Sequence, residues 1–112
     1  MDFDVSVERH NGIALVAVRG ELDISTSPCL RDKLVELATS GDTRLVIDLE
    51  AVEFLDSTGL GVLVGGLKRM RSNGGDLALV CTKPRILKVF EITALTKVFT
   101  IFGSRDEAIS KE

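Results

Sequence analysis

Phe3, Val5 and Val7 alternate with Asp4, Ser6 and Glu8, the two-residue period of a strand with one buried face. Asn11-Gly12 comes next, a pair suited to the tight turn of a hairpin. Ile13 to Val18 is then apolar on both faces, which predicts an interior strand. Gly20-Glu21-Leu22-Asp23 leads away from it, and the period lengthens. Ser27-Pro28 opens a helix, with Ser27 as the expected cap and Pro28 at the first helical position. Leu30, Leu34 and Leu37 recur at i, i+4 and i+7, with Ala38 beside them, and Gly41 ends the helix. Leu45 to Leu49 is a nearly continuous apolar run, as in a parallel strand covered on both faces. A second helix begins near Ser57 or Thr58, buries Leu60, Leu63, Val64, Leu67 and Met70, and stops at Asn73-Gly74-Gly75. Leu77 to Cys81 reads as a fourth strand. Pro84 starts a third helix with Ile86, Leu87 and Phe90 inward, Lys97 to Ile101 reads as a short last strand, and Asp106 to Lys111 as a terminal helix.

Strands alternating with helices after an opening hairpin predict an α/β domain. The sheet is expected to be mixed but mainly parallel, with roughly four helices, in a single domain spanning residues 1–112. The second helix carries Gly59, Gly61, Gly65 and Gly66, each costing about 1 kcal/mol against Ala in a helix interior. Gly61 and Gly65 flank the apolar stripe and are expected to pack closely on the sheet. Gly66 is expected to face outward with Val62 and Arg69, giving a partner ground to land on.

Composition narrows the function. The chain has 112 residues, 45% hydrophobic and 28% charged, with no Trp or Tyr, so its core is aliphatic and large enough to fold without staples. A net charge of -3 argues against a nucleic-acid surface, and Lys68, Arg69 and Arg71 read as a solvated helix face. No metal is expected, because Cys29, Cys81 and the single His10 lack a ligand spacing. Cys81 reads as a small buried hydrophobe, and Cys29 as a first-turn thiol open to redox chemistry. The acidic start, Met1-Asp2-Phe3-Asp4, has no apolar leader, and no stretch is apolar enough to span a bilayer. The expected location is the cytoplasm, with no membrane association.

Enzymatic motifs are missing. The only histidine, His10, sits by the hairpin turn, and Leu55 stands where the first glycine of a GxSxG elbow would be. Gly61 to Lys68 has Leu67 in place of the P-loop lysine and lies inside a helix. Gly59-Leu60-Gly61 has Val64 where a dinucleotide fingerprint needs its third glycine. Asp48, Glu50, Glu53 and Asp56 cluster at the third strand's end, where loop solvation accounts for them. No cofactor is expected. There remains Ser57 at a strand-to-helix junction, where free N–H groups and the positive dipole end favour an anion. Ser57 or Asp56 as a simple helix cap is the competing reading.

The string Asp56-Ser57-Thr58-Gly59-Leu60-Gly61 resembles the phosphorylation site of the anti-sigma factor antagonists, the regulatory branch of the STAS domain family. The resemblance extends through Gly20-Glu21-Leu22-Asp23, Leu45 to Leu49, Val52 to Leu63, Asn73-Gly74-Gly75 and Phe90 to Leu95. Ala94 stands where many members have Gly. The resemblance implies a non-enzymatic protein that, unphosphorylated, binds an anti-sigma factor with serine kinase activity and so frees a sigma factor. Phosphorylation of Ser57 ends that binding, and a metal-dependent serine/threonine phosphatase restores it. The partner-facing residues it implies are Asp23, Ser25, Thr26, Asp56, Ser57, Thr58, Gly59 and Val62, with Thr58 a rival acceptor. A small-molecule or nucleotide sensor, and a redox binder using Cys29 and Cys81, are the readings from other classes.

Overall fold

The structure, a computed structural model, describes residues 3–110. Lys111, expected in the terminal helix, lies outside them. The order is β1 (Asp4–His10), β2 (Ile13–Leu22), α1 (Ser27–Thr39), β3 (Arg44–Leu55), α2 (Ser57–Ser72), β4 (Asp76–Val80), α3 (Pro84–Ile92), a 3-10 turn at Leu95–Lys97, β5 (Ile101–Phe102) and α4 (Arg105–Ser110). One sheet runs β1-β2-β3-β4-β5; β1 is antiparallel to β2 and the remaining pairs are parallel. Asn11 and Gly12 turn the hairpin with φ of 53° and 82°, the positive pair that a two-residue turn requires.

Each parallel strand is added beside its predecessor in one direction. With crossovers of one hand, that order places every crossover helix on the same face. Val16, Val18, Ile47, Leu49, Leu77 and Leu79 accordingly form one core with Leu30, Leu34 and Leu37 of α1, Leu63, Leu67 and Met70 of α2, and Ile86 and Phe90 of α3. The opposite face holds a smaller cluster, Ile13, Leu15, Val46 and Val80, beneath Ala108 and Ile109 of α4. Asp48 is buried on that face, where Arg105 of α4 pairs with it and the Glu50 amide donates to it. Glu50 in turn accepts from the Thr82 amide and hydroxyl. Neither carboxylate is a solvated loop group.

Three expectations change. β3 does not end at Leu49. Its pairing with β2 steps from Ala17↔Asp48 to Arg19↔Ala51, then from Gly20↔Val52 to Glu21↔Phe54. Each step gives β3 one extra residue, a bulge that reverses the in-out alternation. Leu49, Val52 and Leu55 therefore all face the core at intervals of three.

The last strand is Ile101–Phe102, not Lys97–Ile101. Phe99 is drawn into the core edge-on against Phe90, ring centroids 5.7 Å apart at 88°, and the chain before it tightens into the 3-10 turn.

The glycines of α2 are exchanged in role. A Cβ at Gly66 would lie 2.9 Å from Leu34 Cδ1 and 3.3 Å from Leu77 Cδ1, while Cβ atoms at Gly61 and Gly65 would meet nothing within 4 Å. Gly66 faces the core, and Gly61 and Gly65 face out. Ala94, just past the end of α3, has φ 61° and ψ 20°, the left-handed conformation that glycine suits best.

Candidate functional site

β2 and β3 stop side by side, with Leu22 paired to Leu55. The segments that leave these two strand ends build the site. After β2 the chain makes a tight loop, residues 23–26. The Asp23 carboxylate accepts from the amides of Ser25 (2.9 Å) and Thr26 (3.2 Å). The Thr26 hydroxyl donates to the Glu21 carbonyl (2.7 Å) and accepts from the Asp23 amide (2.9 Å). Two short polar side chains thus satisfy the loop's own backbone, as Asx and Ser/Thr turns do. The loop displaces the expected cap of α1. Thr26 holds the N-cap position without a side-chain cap bond, and Ser27 is the first helical residue. The Ser27 hydroxyl is buried with no hydrogen-bond partner.

After β3, Asp56 caps α2. One carboxylate oxygen accepts from the Gly59 amide at 2.9 Å, and the other accepts from the Ile24 amide at 3.2 Å. Its own amide donates to the Leu22 carbonyl at 3.2 Å. A single side chain therefore starts the helix and ties the 23–26 loop to it. A helix leaves its first four N–H groups without an internal acceptor. Here Asp56 N and Gly59 N have these partners, and α2 itself offers nothing to the amides of Ser57 and Thr58.

Ser57 is the first residue of α2, and both Ser57 and Thr58 are exposed. Gly59 lets the helix come down onto the end of β2. A Cβ there would lie 2.7 Å from the Leu22 carbonyl oxygen and 2.9 Å from Leu55 Cδ1, so any larger residue must push the first turn away. Val62 is half-buried and lines a groove between α1 and α2 together with Thr58. The geometry brings Asp56, Ser57, Thr58, Gly59, Ser25 and Thr26 to one end of the sheet. The Asp23 carboxylate is there too, but its hydrogen bonds go to its own loop.

At this end of the sheet two exposed apolar residues escape the sequence reading, Ile24 at 71% and Phe54 at 47% exposure. Ile24 stands alone in a polar loop, which is a legible signal. Phe54 faces outward because of the second bulge, which no simple periodicity reveals. Among the described residues no cluster of three or more His, Cys, Asp or Glu could hold a metal. Cys29 is exposed and Cys81 buried, both as free thiols. The run from Gly61 to Lys68 is helical throughout, so it forms no phosphate-binding loop. No helix of the described residues is long and apolar enough to cross a membrane.

A sequence model of the STAS domain matches residues 4–108. The chain belongs to the STAS domain family. Its likeness lies with the anti-sigma factor antagonists of that family. It is 40% identical over 109 residues to the anti-sigma-B factor antagonist of Bacillus subtilis strain 168, covering 97% of this chain and 99% of the relative. A solved anti-sigma factor antagonist from Mycobacterium paratuberculosis superposes with a TM-score of 0.89 at 32% identity, over 97% of this chain and 92% of that one. The Bacillus cell fate determinant SpoIIAA, solved in its phosphorylated form, shares the fold with a TM-score of 0.74 at 24% identity, over 96% of each chain. The bulged β3, the capping Asp56 and the exposed Ser57 all lie within the residues that the STAS domain model matches.

Proposed function

We propose that this cytoplasmic protein is a partner-switching antagonist whose switch is Ser57. In its unphosphorylated form it binds an anti-sigma factor that is also a serine kinase, and a sigma factor is released. The kinase transfers the γ-phosphoryl group of ATP to the Ser57 hydroxyl, whose proton is lost, and the complex dissolves. A metal-dependent serine/threonine phosphatase hydrolyses the phosphoester and restores binding. The protein is a substrate and a competitor, not an enzyme. Asp23, Ser25, Thr26, Asp56, Ser57, Thr58, Gly59 and Val62 form or shape the surface the partner meets.

The observation that carries this reading is an exposed serine at the first position of a long helix, beside a carboxylate that already caps it. A kinase can reach that hydroxyl without unfolding anything. The helix offers the product the amides of Ser57 and Thr58 and the positive end of its dipole. The phosphate adds about -1.5 to -2 charge next to Asp56, on a surface where Ile24 and Phe54 present apolar contacts. A partner shaped to the serine then meets bulk and like charge. A penalty of about 3 kcal/mol weakens binding more than a hundredfold.

Incubation with the anti-sigma kinase and ATP should raise the intact mass by one phosphate, which peptide mapping assigns to Ser57. Ser57→Ala should take no phosphate and still bind, while Ser57→Asp should bind weakly. Phosphate on Thr58, Ser25 or Thr26 of the wild type would refute the assignment.

A further inference from the structure

We propose that the groove between α1 and α2 receives an acidic helix of the anti-sigma factor, an inference that rests on the antagonist reading. The groove holds about 220 Å3 and is lined by Arg31 and Leu34 of α1 and by Thr58, Gly61, Val62, Gly65 and Arg69 of α2. It is open because two of these residues have no side chain. Gly59 and Gly66 each make room for a neighbour within the fold, whereas a Cβ at Gly61 or Gly65 would meet nothing within 4 Å. Those two glycines weaken α2 by about 1 kcal/mol each against Ala, and among the described residues no neighbour needs the space they leave. They provide a flat floor instead.

The shape selects a helix. Thr58, Gly61, Val62, Gly65 and Arg69 lie along one face of α2 for about three turns, roughly 16 Å. Small residues four apart let a second helix axis approach closely. Both walls are helices, so the groove offers no free sheet edge. An extended segment laid there would leave its backbone groups without partners, whereas a helix satisfies its own.

The charge selects an acidic one. α2 contains no Asp or Glu from Ser57 to Ser72. Arg69 lines the groove, is exposed, and among the described residues forms no ion pair. Across from it, Arg31 has only its sequence neighbour Asp32 at 3.6 Å, both largely exposed, a pair of little strength. On a chain of net charge -3 the groove is a local positive strip. One end of it is Thr58, directly after Ser57. A phosphate on Ser57 stands where the end of an acidic helix would lie, and like charges there oppose docking. The groove thereby couples partner binding to the state of the serine.

Titration calorimetry of the full chain against the purified anti-sigma factor tests this with Gly65→Leu, which fills the floor, and Arg69→Glu, which reverses the wall. Lys88→Glu, on an exposed face of α3, controls for net charge, and Ser57→Asp controls for the switch. Gly65 is open and leucine is the better helix former, so the melting temperature of Gly65→Leu should equal or exceed that of wild type. Each groove variant should bind at least about tenfold more weakly, ~1.4 kcal/mol. Arg69→Glu should flatten the salt dependence, and Lys88→Glu should stay within about threefold of wild type. Groove variants that bind like wild type, while Ser57→Asp does not, would overturn the groove and leave the antagonist reading standing. If wild type fails to bind, both fall. An equal loss in Lys88→Glu would mean a diffuse field in place of a docked helix. Dissociation of a dimer of this chain by the groove variants would make the occupant a second copy and overturn the proposal.

Discussion

Replacing Asp56 tests how the site is held, because one carboxylate serves two purposes. Asp56→Ala removes the acceptor of the Gly59 amide at 2.9 Å and that of the Ile24 amide at 3.2 Å. Loss of an N-cap costs about 1 kcal/mol, and loss of a negative charge in the first turn about 0.5 kcal/mol. The bond to Ile24 is exposed, so its amide turns to water and the net loss is about 0.5–1 kcal/mol. The total is about 2–2.5 kcal/mol, which for a chain of this size lowers the melting temperature by roughly 8–11 °C. Asp56→Asn keeps one oxygen to cap Gly59 but loses the charge and the second acceptor, so about 1 kcal/mol and roughly 4 °C are expected. The chain has no Trp or Tyr, so far-ultraviolet circular dichroism or calorimetry tracks unfolding better than fluorescence. Amide exchange separates the two roles. Asp56→Ala should deprotect both Gly59 and Ile24, and Asp56→Asn should deprotect Ile24 alone. An alanine variant within about 0.5 kcal/mol of wild type, or one with Ile24 still protected, would refute the double role.

Gly59→Ala should destabilise by about 1–2 kcal/mol because its methyl group meets the Leu22 carbonyl. Gly61→Ala should stabilise by up to about 1 kcal/mol, and urea titrations that rank the two the other way would contradict the assigned faces of α2. Ala94→Gly should raise stability by about 0.5–1 kcal/mol by relieving the left-handed backbone, an increase readable in the same titrations. Burial pushes the Cys81 thiol up from its ordinary range, so that group favours folding below the unfolded thiol pKa of about 8.5 and ceases to as pH rises further. Stability should therefore fall more steeply above about pH 9 in wild type than in Cys81→Val. A thiol reagent should modify Cys29 alone in the native state, and native labelling of both would count against this.

The sheet and its crossovers are legible where one period persists, as in β1 and in the leucines of α1. Reading fails where the period is interrupted for a structural reason. Two bulges in β3 shift the core positions to Leu49, Val52 and Leu55, which look like the end of a strand and then a loop. Phe99 belongs to the right residue types for a strand but is taken by the core, and β5 shrinks accordingly. Glycine carries no hydrophobic signal, so the edge of the buried stripe in α2 is invisible in the sequence and Gly66 is expected on the wrong face. At the site, Asp56 and Ser57 are readable from the strand-to-helix junction. The bond from Ile24 to Asp56 spans 32 residues and has no local signature. The turn made by Asp23 and Thr26 is hidden behind the stronger capping signal of Ser27-Pro28.

If Ser57 is the switch proposed above, that 32-residue tie also bears on when the serine becomes a substrate. Asp56 can engage Leu22 and Ile24 only when β2, α1 and β3 have closed into one crossover. A chain still emerging from the ribosome, or one that has misfolded, carries the same residues around Ser57 without that frame. A kinase that recognises the assembled end of the sheet is thereby restricted to finished molecules. Under the proposed cycle, chains that could not compete for the anti-sigma factor in any case would consume no ATP and would leave no phosphorylated debris for the phosphatase to clear.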